Sequence, residues 1–595
     1  MAETQDAKLP PEDSRSAELD VEASAAKSLF LGEIVEENLF PFPALHPEEA
    51  ETVRIILESI DKFMQGREEE FREFDKVGAQ PPEYIQSLKE LGLFGLVVPE
   101  EYGGLGLSSC AYSRVLQQTS RYDASTSLTI GAHSSIGIKG VILFGTDEQK
   151  RHYLPRLASG EMIGAFCLTE PGSGSDAASV STHAEKQDDG TWRLSGEKIW
   201  ITNGPIADFY TVFARTDSEK GKISAFLVER AWDGVSVGNK EDKLGIRASA
   251  TSSVMFDNVL VPAENLLGEE GKGFKIAMNI LNNGRTGLGG GCIGGMKTSI
   301  ALASEYATQR KQFGQSISEF GLIKQKVAQM TIDCFAAESA VSLLGHYIDN
   351  GVKDFSVEAA ICKVFATEAM WRTGNEALQI AGGNGFMKDY PYEMIIRDSR
   401  INMIYEGTNE ILRLYIALSG LKQVGEYLQD LSESVTGIFN HPIKGFGVMS
   451  EYASKRITRL TSLGRDKVDF IPPSLTDAAL VFEHYTLALE RAAEMVLRRH
   501  GKKVIEKQFA MSRIANVVID LFVGLAVLSR VSKLIEERGS ESCVNEIAIA
   551  NTFSQQAKRR MNQNLRRIEK NEDEDMKVLA DHIFENGSFD WDTID

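Results

Sequence analysis

Apolar positions recur at helical spacing between Glu48 and Leu96, as in Val53, Ile56, Leu57, Ile60 and Phe63. Steps of three and four residues line one face of a helix, so the spacing predicts helix. Pro81-Pro82 interrupts the pattern, Pro99 ends it, and Gly103-Gly104-Leu105-Gly106 reads as a loop before more helix to about Gly160. The period then changes. Between Ile163 and Val261 short β-rich runs (Gly164–Leu168, Trp192–Ser195, Tyr210–Ala214, Ile223–Val228, Ser253–Phe256) alternate with turn residues such as Gly190, Gly196, Gly204 and Gly221. Turn signals at this spacing predict a mostly antiparallel β domain. The helical period returns after Gly273, over Phe274–Leu281, Gly291–Tyr306, Leu322–Asn350, Val357–Ala381 and Glu410 to about Gln429. His441-Pro442 and Gly445–Gly447 mark a break, and helical patterns resume from Leu475 to about Arg567. The acidic stretch from Asn571 to Asp595 has few apolar anchors and is expected to be mobile in part.

This order predicts an α+β chain in five parts. Residues 1–25 form an acidic disordered tail, 26–162 a helical domain, 163–272 a β domain, 273–428 a helical bundle, and 429–595 an additional helical domain with an acidic end. A length of 595 residues agrees with several cores, since single cores stop growing near ~250–300 residues. A net charge of −21 argues against a nucleic-acid partner, because that attraction needs clustered Lys and Arg. The six cysteines form no CxxC and no metal-ligand spacing, and are expected to be reduced thiols. The N-terminus is polar and acidic, unlike a secretory or mitochondrial presequence. The expectation is a cytoplasmic protein or a mature form whose presequence was removed, the alternative location being the mitochondrial matrix or inner membrane. The longest apolar run, Ala515–Leu528, carries Asn516 and Asp520 and reads as too short to span a bilayer.

Two segments carry candidate chemistry. In Phe166-Cys167-Leu168-Thr169-Glu170-Pro171-Gly172-Ser173-Gly174-Ser175-Asp176 a strand runs into small and hydroxyl residues whose N–H and O–H groups could cradle a polar cofactor. The same residues also make ordinary surface turns. In Lys198-Ile199-Trp200-Ile201-Thr202-Asn203-Gly204 a Trp and a Thr could meet a flat ring, or the Asn-Gly pair could simply close a hairpin. The glycines of Gly284–Gly295 lie within a helical pattern and lack a Walker lysine; they read as close helix packing.

Taken in order, the segments resemble the acyl-CoA dehydrogenase family. They are Val98-Pro99-Glu100-Glu101-Tyr102-Gly103-Gly104, the Thr169–Asp176 turn, Trp200–Gly204, Leu244-Gly245-Ile246-Arg247-Ala248-Ser249, Arg310-Lys311-Gln312-Phe313-Gly314, Gln379-Ile380-Ala381-Gly382-Gly383-Asn384-Gly385-Phe386 and Tyr405-Glu406-Gly407-Thr408-Asn409-Glu410. The match covers about residues 48–425, and the block beyond is similar to the extra C-terminal domain of the very-long-chain branch and its complex I assembly-factor relative. The resemblance implies an N-terminal helical domain, a middle antiparallel β domain, a C-terminal four-helix bundle and an additional helical domain. It further implies FAD, held by Phe166, Leu168, Thr169, Ser175, Trp200, Ile201 and Thr202, with Thr408 and Glu410 at a helix start. Arg310, Phe313, Gln379, Ile380, Ala381, Gly382 and Gly383 would reach the cofactor of a second subunit, which makes a homodimer part of the expectation.

By the same resemblance Glu406 takes the α-proton of a fatty acyl-CoA while flavin N5 takes the β-hydride, giving a trans-2-enoyl-CoA. Ser175, Arg285, Tyr405, Gly407, Gly131 and Ala132 would contact substrate. Taken alone, Glu406 is a first-turn acid beside a helix dipole. Some family branches carry the base directly before Arg285, but Gly284 stands there and glycine is no base. Small residues at Gly131 and Ala132 lean the expectation toward long acyl chains. Electrons would pass to electron transfer flavoprotein. An acyl-CoA oxidase and a flavoprotein scaffold for respiratory-complex assembly remain alternatives. Basic islands at Arg498–Lys503, Lys558–Arg560 and Arg566-Arg567 suggest either peripheral membrane association or solvated helix faces.

Overall fold

A computed structural model describes residues 19–216, 221–440 and 466–594, with side chains described to residue 426 in the helix that ends at Asn440. The expected break at His441-Pro442 and most of the expected acidic tail lie outside the described residues. Contacts divide the chain into two compact units: one holds the residues to Ser24 with Glu37–Leu412, the other Ala25–Glu36 with Arg413–Asp595. The division falls inside the Asn409–Asn440 helix rather than near residue 428, and the short Ala25–Glu36 stretch joins the C-terminal unit.

The first unit begins with helices Pro47–Met64, Glu68–Val77, Pro82–Glu90, Ser109–Tyr122 and Ala124–Gly131. Val53, Ile60 and Met64 share one helix face and pack with Phe71, Phe74 and Tyr84. Ser108 and Asp123 cap the helices that follow them, accepting from the N–H groups of Ala111 and Thr126. The end of the expected disordered tail is tied down: Asp20 N–H donates to Asn38 at 2.9 Å, and the Ser24 hydroxyl donates to buried Glu358 at 2.6 Å.

The β domain has eight strands: β1 (Gly164–Cys167), β2 (His183–Lys186), β3 (Trp192–Thr202), β4 (Phe209–Arg215), β5 (Ile223–Glu229), β6 (Val235–Lys240), β7 (Thr251–Val261) and β8 (Leu266–Leu267). They run in the order β6-β7-β3-β2-β4-β5-β8, with β1 pairing parallel to β4 and the remaining pairs antiparallel apart from one β2–β4 bridge. Both faces are covered. Phe209 and Phe213 of β4 pack with Ile138, Tyr153 and Ile280 from helices, whereas Tyr210, Val212 and Ala214 meet Trp192, Val254 and Phe256. That split follows from the two-residue repeat of a strand. Sequence patterning missed β2, β6 and β8, of which β2 buries only Ala184, β6 is a half-exposed edge and β8 has two residues.

The bundle helices are Gly273–Gln309, Gly321–Asp349, Ser356–Ala381 and the start of Asn409–Asn440. The first is one 37-residue helix where the patterning predicts two. Its glycines interrupt the apolar period because they face a neighbouring backbone: a methyl at Gly290 would sit 2.5 Å from the Ser113 carbonyl oxygen, and one at Gly294 would collide with that of Gln117. Gly290→Ala and Gly294→Ala should each cost about 1–3 kcal/mol through overpacking. A lowered thermal unfolding midpoint checks this; an unchanged midpoint would mean that the two helices can separate freely.

In the C-terminal unit, helices Thr476–His500, Gln508–Arg538 and Val544–Glu569 pack around Phe482, Leu489, Phe522 and Phe553. The Ala515–Leu528 run belongs to a 31-residue helix that is long and apolar enough to cross a membrane, with 89% of its most apolar window buried inside the protein. Residues around Asp573 are more ordered than their composition suggests. Helix Asp573–Asn586 starts with three acids, which suit a helix N-terminus, and Arg513 grips Asp573 through two hydrogen bonds of 2.7 and 2.5 Å. Within the basic islands Arg498, Arg499, Arg560 and Arg567 pair with Glu494, Glu569, Asp520 and Glu572.

Candidate active site

The Phe166–Asp176 and Lys198–Gly204 segments meet through the end of β1 and the middle of β3. Ile199 N–H donates to the Thr169 carbonyl at 2.9 Å, and Lys198 Nζ donates to the Leu168 carbonyl at 3.1 Å. Trp192, Leu194 and Lys198 point inward at even steps along β3, but the next buried residue is Ile201. Three residues from Lys198 to Ile201 oppose two on β7, Val254 to Ser252, so one residue is extra. Such a bulge re-aims side chains. It coincides with Trp200 at φ 56° and turns the indole out to 63% exposure. Thr202 is half-buried beside it, and Asn203 is buried at φ 64°, donating to the Thr129 carbonyl at 2.9 Å.

Beneath the Thr169–Asp176 turn lies a buried ion pair. Lys198 and Glu170 expose 0% and 1% of their side chains and meet at 2.7 Å. Glu170 also accepts from the N–H groups of Ser181 and Thr182 and from the Ser181 hydroxyl. Burial pushes the Glu170 carboxyl up, but Lys198 and these donors outweigh it and hold it at about 2. Above the pair Gly172, Gly174 and Ser175 are exposed, and no atom lies within 4 Å of where a side chain at either glycine would start. Phe166 is half-buried against Phe213, with ring centroids 5.0 Å apart.

Glu406 occupies a tight loop between the Tyr392–Arg400 helix and the Asn409–Asn440 helix. Its φ is 56° and that of Gly407 is 91°, so two successive residues are left-handed. A non-glycine residue held there needs its surroundings to fix it. Arg285 Nη2 approaches the Glu406 carbonyl at 3.4 Å, and Lys363 Nζ donates to the Gly407 carbonyl at 2.8 Å. The Glu406 Oε2 atom is buried and has no hydrogen-bond partner. Burial raises this carboxyl above the usual carboxylate range, against the opposing pull of Arg285 and Lys363. Tyr405 donates to Asn402 at 2.7 Å, and Thr408 Oγ1 accepts from Ile411 N–H at the helix start, with Glu410 exposed in the first turn.

The segment around Gly131 and Ala132 comes to the same region. Ala132–Gly137 forms a π-helical turn, a form often seen at functional sites. Its Ser135 hydroxyl pairs with Tyr112 at 2.7 Å, and a methyl at Gly287 would lie 2.6 Å from Ser135 Oγ. The turn therefore packs against the helix that carries Arg285, half a turn from it. Ala132 is buried and Gly131 half-buried, facing Leu116.

Arg310, Phe313, Gln379, Gly382 and Gly383 gather at one end of the bundle and are exposed, Phe313 at 92%. They are neighbours because Ile380 and Ala381 bury their side chains with Ala303 and Ala307, next to the Lys311–Ser316 hairpin. Arg310 has its backbone bonds to Tyr306 and Ile317, within that end. Leu168, Ile201, Ile380 and Ala381 all bury their side chains in the core. The sequence reading passed over Lys198, Glu170 and Lys363 as individuals. A signal was present in each lysine: Lys198 has the inward parity of Trp192 and Leu194, and Lys363 stands in the apolar run Ala359–Phe365.

Comparison with known proteins matches residues 50–161, 165–259 and 271–421 to the N-terminal, middle and C-terminal domains of acyl-CoA dehydrogenases, and 473–589 to the ACAD9/ACADV C-terminal domain. The chain is 40% identical over 583 residues to the very long-chain specific acyl-CoA dehydrogenase, mitochondrial, of Rattus norvegicus, covering 95% of this chain and 88% of that one. Among solved structures, an acyl-CoA dehydrogenase from Bacillus anthracis complexed with FAD superposes with a TM-score of 0.77 at 33% identity, covering 92% of each chain. A chain described as the electron transferring flavoprotein of Acidaminococcus fermentans gives a TM-score of 0.61 at 38% identity, over 63% of this chain and 98% of that one. With this identity across nearly the whole length, and all three acyl-CoA dehydrogenase domains matched in order, the chain belongs to the acyl-CoA dehydrogenase family.

Proposed function

We propose that the protein is an FAD-dependent dehydrogenase that converts long-chain fatty acyl-CoA to trans-2-enoyl-CoA, with Glu406 as the base for the α-proton. The observation that carries this reading is the Glu406 carboxylate itself, with one oxygen buried and unpartnered at a left-handed turn. An unsatisfied carboxylate oxygen is ready to accept a proton, and burial makes it a stronger base than a solvated one. The Glu406 N–H would orient the thioester oxygen and stabilise the enolate that develops as the proton leaves. Small Gly131 and buried Ala132 leave the acyl end unblocked by a charged side chain, and the very-long-chain relative supports a long substrate.

The residues present fit FAD. Trp200 and Thr202 offer a flat face and a hydroxyl, while Gly172, Gly174, Gly382 and Gly383 leave space where a side chain would stand against a ligand. When bound, FAD supplies the acceptor for the electron pair and the β-hydrogen. Trp200, Thr202 and Ser175 would hold and orient it, and the structural relative with FAD supports the assignment. In this reading electrons leave to an electron transfer flavoprotein.

The reading includes a homodimer, supported by the exposed end of the bundle that carries Arg310, Phe313 and Gln379. An aromatic ring at 92% exposure on a strained hairpin suits burial by a second copy. Phe313→Asp should weaken the dimer by about 2 kcal/mol or more and lower FAD content with it. Sedimentation and flavin absorbance check both; a variant with unchanged mass and flavin would remove Phe313 from the interface.

Anaerobic mixing of the holoenzyme with acyl-CoAs from butyryl to stearoyl tests the function. Bleaching of the flavin that is fastest with the long chains is the expected result. Bleaching with no acyl-CoA would overturn the dehydrogenase reading.

A further inference from the structure

Lys363 is wholly buried in the Ser356–Ala381 helix, an expensive place for an ammonium group unless its charge and protons are used. Two of its hydrogen bonds go to the catalytic loop: one to the Gly407 carbonyl at 2.8 Å, the other to Asn409 Oδ1 at 2.7 Å. Asn409 is fixed in turn, donating to Thr367 Oγ1 and Glu368 Oε1 at 3.1 Å each. Thus the lysine grips the loop on the residue after Glu406 and again at the helix start. Gly407 at φ 91° aims its carbonyl at the lysine, and Glu406 at φ 56° is the strained residue beside it.

We propose that Lys363 is a positioning residue for the reaction, tying the Gly407 carbonyl so that Glu406 stays in its left-handed conformation, and setting a positive charge behind the catalytic loop. The proposal rests on reading Glu406 as the base. Its electrostatic surroundings are compact. Facing Lys363 are Glu406 from the loop, Arg285 and Cys292 from the Gly273–Gln309 helix, and Glu368 from its own helix. Facing Glu406 are Arg285 and Lys363, together with Tyr405, Cys292 and Tyr112, whose own ionisation it opposes. Desolvation pulls Lys363 down to about 8, with Glu406 acting against that fall. Arg285 reaches the Glu406 carbonyl at 3.4 Å and also bonds Asn282 at 2.6 Å, whereas Lys363 holds the loop at hydrogen-bond distances below 3 Å.

The sign of the effect follows directly. Glu406 works only when deprotonated, so kcat/KM rises with pH through its folded-state pKa. Removing the Lys363 charge removes a pull that favours the ionised form, and the acid limb must move to higher pH. The experiment is the pH profile of kcat/KM for the flavin-loaded enzyme and for three variants. In Lys363→Met, which keeps the bulk and loses charge and donors, the limb should rise by about one pH unit or more, with a lower kcat from a loosened loop. Lys363→Gln retains a donor for the Gly407 carbonyl without charge; its limb should rise with a smaller loss of kcat. In Lys363→Arg, which retains charge, the limb should stay near its wild-type position even where kcat falls. A purely structural lysine would lower stability and flavin content in all three without moving any limb, and that result overturns the proposal. If Lys363→Met does not fold, an unmoved limb in Lys363→Gln overturns it alone. A Glu406→Gln enzyme with normal activity would instead overturn the base assignment, which keeps the two failures distinct.

Discussion

Glu406→Gln should bind long-chain acyl-CoA about as tightly as the wild type and reduce the flavin slower by roughly 10²- to 10⁴-fold, the ordinary range for loss of a positioned base. The amide has nearly the shape of the carboxyl and cannot take a proton, so the loss should fall on the chemical step and leave binding intact. The structure adds a second signature. Burial raises the Glu406 carboxyl, so the folded state holds its proton more tightly than the unfolded chain does. Any stability this proton provides is present below the unfolded pKa and lost as pH rises through the folded one, so burying the carboxyl is a cost on the alkaline side. The Gln variant removes that cost and should unfold at the same temperature as the wild type or above it. Stopped-flow reduction with a thermal scan reads both. A variant that loses activity together with stability would point to a damaged fold, not a missing base.

The second large effect is expected at the buried ion pair beneath the Thr169–Asp176 turn. Glu170→Ala leaves the Lys198 ammonium buried without its 2.7 Å partner, and uncompensated buried charges cost about 3–5 kcal/mol. The same change frees the N–H groups of Ser181 and Thr182, which the carboxylate holds against the turn above it. Unfolding midpoint and flavin retention should therefore fall together. Replacing both partners, as Glu170→Ala with Lys198→Met, should recover part of the stability, since two apolar groups leave no orphaned charge. For the wild type the pH dependence has a definite direction. The Glu170 carboxyl is held at about 2, below its ordinary 4.5. Its contribution is present above the ordinary value and is lost as pH falls toward 2. Glu170→Ala should lack that acid-side loss; an unchanged midpoint in the single variant would mean that Lys198 finds other partners at no cost.

Period changes in the hydrophobic pattern were enough to divide the chain into helical, β, helical and further helical parts. Where that reading fell short, the cause is local. The Gly273–Gln309 helix appears broken because its glycines press on the backbones at Ser113 and Gln117, so close packing erases the apolar stripe that marks a helix. Strands β2 and β6 carry too little buried surface to show alternation. Arg513, a long way off in sequence, orders the start of the Asp573–Asn586 helix, and no local pattern could reveal it. The site was legible mainly through the family resemblance. Five of the six non-glycine residues at positive φ among the described residues, Trp200, Asn203, Ile246, Phe313 and Glu406, fall on the quoted segments, with Asn258 the exception. Strain of this kind is invisible to composition, since none of these side chains advertises its backbone angle. Lys363 was missed for the opposite reason: one charge in an apolar run is easily read as a solvated residue, and only its two hydrogen bonds to the loop show otherwise.

Whether Glu406 removes the α-proton is read by following that proton. Long-chain acyl-CoA labelled with deuterium at the α-carbon is mixed anaerobically with the flavin-loaded enzyme, and loss of label to solvent is followed by mass spectrometry. Prompt loss with the wild type and none above the buffer rate with Glu406→Gln is the expected result. Loss of the label at the wild-type rate in the variant would contradict it.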